Sequence, residues 1–289
     1  MYETLRMKSV SENINDLTYS DYFYRLMLLA RSVFKWEGLP KKIDEKWIER
    51  FLFSEGKCMF YKDEKIGFVV ARCTMEDGVN HFDEPIKLSP ISSNGVLSGT
   101  YKNNKDCVLI RNNDIMMPTS PTISLYACRL TETQRTIDLN IIAQRTPVLI
   151  KCSEKQRLTL KNIYKQWRGN EPVIYGDKNM ENYEFTVLNT NAPIVFDKLQ
   201  IQKHSIWNEV MTFLGVNNAN MDKRERLVDD EVQANNEQIE LSASVMLKAR
   251  EKACELINKM FPELKVSVRM RTQEEFEEYL KGGVIDDKG

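Results

Sequence analysis

The sequence predicts an α+β protein in which three long helices flank two small mixed modules, and three observations carry this. Apolar residues recur at three- and four-residue spacing over 118–147, 192–215 and 237–261, stretches about twice the usual helix of 11 to 12 residues. Short aromatic and β-branched runs separated by Gly, Asn and Pro occupy 58–112 beside two shorter helical stretches, the pattern of a small antiparallel sheet. A further set of short runs occupies 148–191, an α/β insertion between two of the long helices. Matched helices with mixed modules at opposite ends suggest the wall segment of a ring.

In chain order, residues 1–17 are polar and are expected to form a loosely held arm. Tyr22, Leu26, Leu29, Val33 and Trp36 trace a helix from Asp21 to Trp36, ended by Gly38 and Pro40. A shorter helix follows at Glu45 to Phe53, with Trp47, Ile48 and Phe51 inward. Cys58 to Tyr61 and Ile66 to Cys73 flank the turn Lys62 to Lys65 as a hairpin, and further strands are expected at 86–91, 96–101 and 107–112. Pro118 and Pro121 mark a break, since a proline disfavours helical geometry in the residue before it. Ser120 or Thr122 then caps a helix to about Gln144, with Ile123, Tyr126, Leu130, Ile137 and Ile141 on one face. Its polar middle, Thr131 to Thr136, suits a helix packed among copies of itself. Strands at 148–151, 173–175 and 185–188 and a helix at 158–167 complete the insertion.

The next helix carries Val195, Leu199, Ile206, Val210, Phe213 and Leu214; Asn191 or Asp197 serves its start and Gly215 its end. Residues 216–236 have only scattered apolar positions and are expected to be a long loop, a length that in a folded domain is functional or disordered. The third long helix shows a seam of Ile239, Ser242, Met246, Ala249, Ala253, Ile257 and Met260, small enough for close helix approach. Beyond Pro262, residues 266–270 alternate as a strand, and Thr272 to Glu275 form a capping box opening an acidic helix. Gly282 onward is tail.

The 289 residues are 42% apolar and 29% charged, enough for a substantial core. No apolar run approaches the roughly 18 to 20 residues of a membrane span, and the first residues lack a signal peptide's apolar block, so synthesis in the cytoplasm is expected. Cys58, Cys73, Cys107, Cys128, Cys152 and Cys254 are scattered without a CxxC pair, and are expected to be reduced core residues. A net charge of −1, from 41 basic and 42 acidic residues, announces no basic field for nucleic acid. There is no glycine-rich phosphate loop, HExxH or GxSxG pattern, and the two histidines, His81 and His204, stand far apart, so no catalytic residue, cofactor or metal site is expected. Asp229, Asp230 and Glu231 could hold a divalent ion for phosphodiester cleavage, a metal-dependent nuclease being one alternative. Adjacent residues seldom converge on one ion, however, and no glycine supplies a calcium-loop turn. In a monomer Lys223, Arg224 and Arg226 read as a solvated loop. In a ring they become circles of cations facing an axial channel, where salt-sensitive, sequence-independent phosphate contact is possible.

The run Gln202-Lys-His-Ser-Ile-Trp-Asn-Glu-Val-Met-Thr-Phe-Leu-Gly215, followed by Asn217-Asn-Ala-Asn220, Lys223-Arg-Glu-Arg226, Asp230-Glu-Val232 and Glu237-Gln-Ile-Glu240, closely resembles the portal, or upper collar, proteins of phi29-like short-tailed phages. Phe34 to Pro40, Phe60 to Lys62, Pro118 to Thr122, Ala143 to Ile150 and Asn191 to Pro193 extend the resemblance over most of the chain in the same order. Residues 74–105 and the tail match poorly.

The resemblance implies a portal-type fold. Residues 1–117 and 262–289 would form the wing, 118–147, 192–215 and 237–261 the long helices, 148–191 the clip, and 216–236 the channel loop. It implies a ring of typically twelve subunits in the virion, at the capsid vertex where head meets tail, conducting double-stranded DNA during packaging and ejection. Implied partners are other copies of the chain, the major capsid or scaffold protein, a packaging ATPase and a lower collar or tail protein, with no membrane. Lys223 and Arg224 fall where the family's loop carries paired lysines facing DNA, and Lys198 matches another basic ring. The companion position nearer the narrow end is Asn189 here. The resemblance does not extend to the packaging RNA, because residues 1–17, with only Arg6 and Lys8 as bases, lack the family's basic arm. A helical scaffold protein indifferent to DNA is the remaining alternative.

Overall fold

The computed structural model describes residues 10–92, 95–144, 148–151, 184–187, 193–216, 229–272 and 274–275. The chain divides into two units, Met1–Glu132 with Gln202–Gly289, and Thr133–Ile201.

The larger unit begins with α1 (Val10–Ser32), β1 (Phe34–Glu37) and α2 (Glu45–Glu55). The first helix thus starts well inside the expected arm and stops before Trp36. Phe34 to Glu37 is instead strand, because β9 (Ser267–Met270) pairs with it antiparallel, Trp36 opposite Val268. That long-range ladder overrides the helical spacing that carries Trp36. Asp44 caps α2 by accepting a bond from the Lys46 N–H at 2.9 Å, and Gly56 ends it in the left-handed region at φ 73°. Ile48 and Leu52 are fully buried, whereas Trp47, expected inward, is 43% exposed.

Strands β2 (Lys57–Asp63), β3 (Gly67–Val79), β4 (Pro85–Ile91), β5 (Tyr101–Lys102) and β6 (Cys107–Arg111) form an antiparallel sheet in the order β5-β4-β3-β2-β6. Asp63 shapes the predicted hairpin turn by accepting bonds from the Lys65 and Ile66 N–H groups. The period of two sends Cys58 and Phe60 into the main core and Met59 and Tyr61 into a second cluster on the other face. The strand expected at 96–101 shrinks to its last residue plus Lys102; Leu97 packs on the second cluster instead of joining the ladder.

Helix α3 (Ser120–Ala143) matches the expected span closely, with Pro121 in its first turn. Ile123, Tyr126, Leu130 and Ile137 are buried, but Ile141 is 49% exposed and does not belong to that buried face. Helix α4 (Phe196–Leu214) buries Ile206, Val210, Met211 and Leu214. Helix α5 (Asp229–Met260) starts eight residues earlier than the expected 237, so 229–236 is helix and not loop. Cys58, Cys73, Cys107 and Cys254 are buried free thiols, and burial pushes the last three up to about 12. Cys128, expected in the core, is exposed, and Cys152 lies outside the described residues.

In the smaller unit, β7 (Val148–Lys151) pairs antiparallel with β8 (Glu184–Val187). The Asn140 side chain donates to the Pro193 carbonyl at 2.9 Å and accepts from the Val195 N–H at 3.3 Å, tying the end of α3 to the start of α4. The helix expected at 158–167 and the strand at 173–175 lie outside the described residues.

One buried ion pair gathers the larger unit. Arg250 of α5 and Glu49 of α2 have side chains only 2% and 3% exposed and meet in a bidentate fork, Nε to Oε1 at 2.9 Å and Nη2 to Oε2 at 2.8 Å. The remaining guanidinium N–H groups donate to the Met246 carbonyl and to the Asn112 carbonyl and side chain. All five donors are therefore satisfied. The guanidinium lies 4.0 Å from the centroid of the Phe34 ring, and the Trp36 indole N–H donates to Glu49 at 2.8 Å. Asn112 continues the network to the Met117 carbonyl and the Thr119 hydroxyl, at the start of α3. Glu49→Gln leaves a buried cation without its counter-charge and is expected to cost about 3–5 kcal/mol. Denaturant melts at one fixed protein concentration test this, with the double variant Glu49→Gln/Arg250→Met recovering part of the loss.

The β1–β9 ribbon carries a second, more exposed cluster. Arg269 donates two 2.7 Å bonds to Glu275, and Lys35 adds one at 2.8 Å. The predicted capping box forms: the Thr272 N–H donates to Glu275 at 3.1 Å and the Glu275 N–H to the Thr272 hydroxyl at 3.4 Å. The bonds from Arg269, then Lys35, hold the Glu275 carboxyl well below the usual range. A lowered folded-state pKa adds stability above the unfolded value, and that stability is lost as pH falls towards the folded one. Glu275→Gln is therefore expected to lower the melting temperature at pH 7, and the gap from the unmodified chain to narrow as pH falls below about 4.3.

Candidate functional site

The end of α4 and the start of α5 bracket the segment that carries the predicted cations. Helix α4 stops in a complete Schellman motif: the Gly215 N–H donates to the Thr212 carbonyl at 3.1 Å and the Val216 N–H to the Met211 carbonyl at 2.9 Å. Gly215 adopts φ 75°, and a Cβ there would lie 2.3 Å from the Ala243 Cβ. The small residues of the α5 seam thus allow direct backbone contact, as Ala243, Ala249 and Ala253 are all buried.

This contact sets the reach of the connection. Helix α5 begins at Asp229, about fourteen residues before Ala243 and so about 21 Å along its axis. The chain leaving Gly215 beside Ala243 therefore has to climb that distance before it enters α5. Twelve residues spanning 217–228 suffice, at up to about 3.3–3.6 Å each. Lys223, Arg224 and Arg226 belong to this connection and lie outside the described residues. Lys198 is described: it stands exposed in the first turn of α4, in the smaller unit. Asp229, Asp230 and Glu231 form the first turn of α5, where the helix dipole favours acidic residues.

From Gln202 on, α4 belongs to the larger unit. Tyr126 of α3 donates its hydroxyl to Glu209 of α4 at 2.9 Å, and burial, reinforced by that bond, pushes the phenol up to about 12. Tyr19 of α1 and Ser124 of α3 share a 2.8 Å hydroxyl bond. His204 is half-buried on α4 and His81 is exposed against Phe82. Among the described residues, no group of three or more His, Cys, Asp or Glu side chains is arranged to hold a metal ion. No described helix is long and apolar enough to cross a membrane.

Sequence periodicity misses the outer faces of the long helices. Leu17, Tyr24 and Leu28 on α1, Leu139 and Ile142 on α3, and Leu241 and Val245 on α5 are each more than half exposed. The signal is present in the sequence as apolar residues that fall off the buried stripe of their own helix, a pattern of candidate interaction surfaces.

Residues 2–275 match the family described as Phage Connector (GP10). Among solved structures, the chain is similar to "Portal and tail of native bacteriophage P68", at 16% identity and TM-score 0.49 over 99% of this chain and 100% of that one. It is similar to an HK97-family phage portal protein from Corynebacterium diphtheriae, at 11% identity and TM-score 0.44 over 94% and 96%. It is also similar to a chain of the virion of a native gene transfer agent particle, at 8% identity and TM-score 0.48 over 94% and 87%.

Gly215→Ala is expected to destabilise the chain by more than about 1 kcal/mol, measured by thermal or denaturant melting. Gly215→Asn, which tolerates left-handed φ, is expected to do no better, because its Cβ still meets Ala243.

Proposed function

The chain belongs to the phage connector family, portal proteins of the virion that sit at a capsid vertex and join head to tail, and from that premise we propose that copies of it form a closed ring conducting double-stranded DNA during packaging and ejection. The observation that carries the ring is the exposure of large apolar side chains on α1, α3 and α5, although the larger unit already has a full core. Neighbouring copies would cover those faces. Twelve copies is the number implied by the sequence resemblance. The segments 1–117 and 262–289 would then serve as wing, 148–191 as clip, and the long helices as stem.

In such a ring the 217–228 connection faces the channel, and Lys223, Arg224 and Arg226 recur once per subunit, with exposed Lys198 supplying another circle of charge. Phosphate contacts of this kind hold DNA without reading its sequence, and weaken as salt rises. A net charge of −1 suits a conduit in which DNA has to slide; a broad basic groove would retain it. The chain would conduct without catalysis, so the work of packaging would come from a separate ATPase, with capsid and lower collar or tail proteins completing the vertex.

Native mass and negative-stain images along the ring axis test the assembly: a homogeneous ring with a central hole is expected, and a monomer or dimer across concentrations and salts would overturn it. Lys223→Ala/Arg224→Ala is expected to leave the ring intact while impairing DNA retention or passage. Unchanged packaging and retention by the variant rings would remove the connection from the DNA path.

A further inference from the structure

The β3–β4 hairpin ends in an aromatic residue that its own chain leaves uncovered. Phe82 is 75% exposed at the tip, and Val79 beside it 51%. Hydrogen bonds fix the turn that presents Phe82: the Asn80 side chain accepts from the Phe82 N–H at 2.8 Å and from the Glu84 N–H at 3.1 Å. The Asn80 N–H donates to the Glu84 carbonyl at 2.9 Å, and the Asp83 N–H to the Asn80 carbonyl at 3.0 Å. The His81 and Phe82 ring centroids lie 4.1 Å apart. Aromatic residues are enriched at protein interfaces, and one already held in place loses little freedom on docking. Residues 76–87 carry four acidic residues against one lysine.

The same unit offers a complementary hollow. Between α2 and β3 a groove of about 250 Å³ is walled by Ile43, Trp47 and Phe51 on one side and Ile66, Phe68 and Val70 on the other. Trp47 and Ile66 remain 43% and 37% exposed. Lys42 lines the groove, and the Lys46 ammonium and Arg50 guanidinium lie 5.7 and 5.6 Å from the Trp47 ring centroid. Asp44 offsets Lys46 through a 3.0 Å pair. Glu45 and Glu49 are engaged by Arg271 and Arg250. The α2 side of the groove therefore keeps a positive balance, which suits an apolar knob with acidic flanks.

We propose, resting on the ring reading above, that the Phe82 tip of one copy seats in the α2–β3 groove of its neighbour, with its acidic flanks toward Lys42 and Arg50. Within one chain the two cannot meet. Phe68 and Val79 stand eleven residues apart on β3, about 36 Å of strand, and pairing with β2 at one end and β4 at the other holds that strand extended. A knob and a hollow at separate places on one chain make a heterologous contact, the kind that repeats head to tail and can close into a ring. The tip lies within 74–105, where the sequence resembles the portal family poorly, so the contact belongs to this chain and is not carried over from the family.

The test uses two full-length chains in a Cys128→Ser background, one with His81→Cys beside the tip and one with Ile66→Cys at the groove edge. They are co-assembled and treated with a short bismaleimide. A covalent dimer is expected from the mixture, several-fold above the level from either chain alone. Phe82→Ser alters an exposed side chain, so it is expected to keep the monomer's melting temperature while raising about tenfold the concentration needed for ring assembly. Closed rings of native mass that give no dimer above the single-chain blanks, or that assemble as readily with Phe82→Ser, would overturn the contact and leave the ring reading standing. Dimers from the His81→Cys chain alone, equal to those of the mixture, would pair tip with tip and overturn it too. A chain that stays monomeric at every concentration would overturn both.

Discussion

The larger unit depends on the buried Arg250–Glu49 pair. Moving two full charges out of water costs several kcal/mol each, and that cost is offset only if the geometry is excellent and every remaining donor is met. Here it is met, by two main-chain carbonyls, the Asn112 side chain and the face of Phe34. Because each partner comes from a different part of the chain, the pair also fixes register. It locks α5 against α2, holds β1 through Trp36, and reaches the start of α3 through Asn112 and Thr119.

The start of α3 and the C-terminal half of α5 are thereby fixed to α2 and β1. Their feet are set by a network with discrete hydrogen-bond geometry, which resists sliding better than a purely apolar seam. Above it, α4 ends by direct contact with Ala243, and α5 continues about 21 Å further.

The outer faces follow a different rule. Among the described residues, Leu17, Leu139 and Leu241 lie outside the buried core, with their side chains more than half exposed. The α2–β3 groove is distinct from these faces, since it is concave and lined by Ile43, Trp47, Phe51, Ile66, Phe68 and Val70.

The sequence by itself determined what rests on local signals. The span of α3 follows from the proline break and its apolar period, the hairpin from β-branched runs around Asp63, the end of α4 from Gly215, and the capping box from Thr272 and Glu275. Residue order also carried the resemblance to the family, over the same stretch of sequence that holds the candidate cations. Only the tertiary structure decided that Phe34 to Glu37 is a strand, since its partner lies more than two hundred residues away. The same holds for Arg250 and Glu49, two ordinary charged residues on helical patterns until the fold buries them together. It also decided that Trp47 faces outward, that Ile141 is exposed and that α5 begins at Asp229. Periodicity reports that a residue is apolar and which side of a helix it shares with others, but not which of two apolar sides meets the chain's own core.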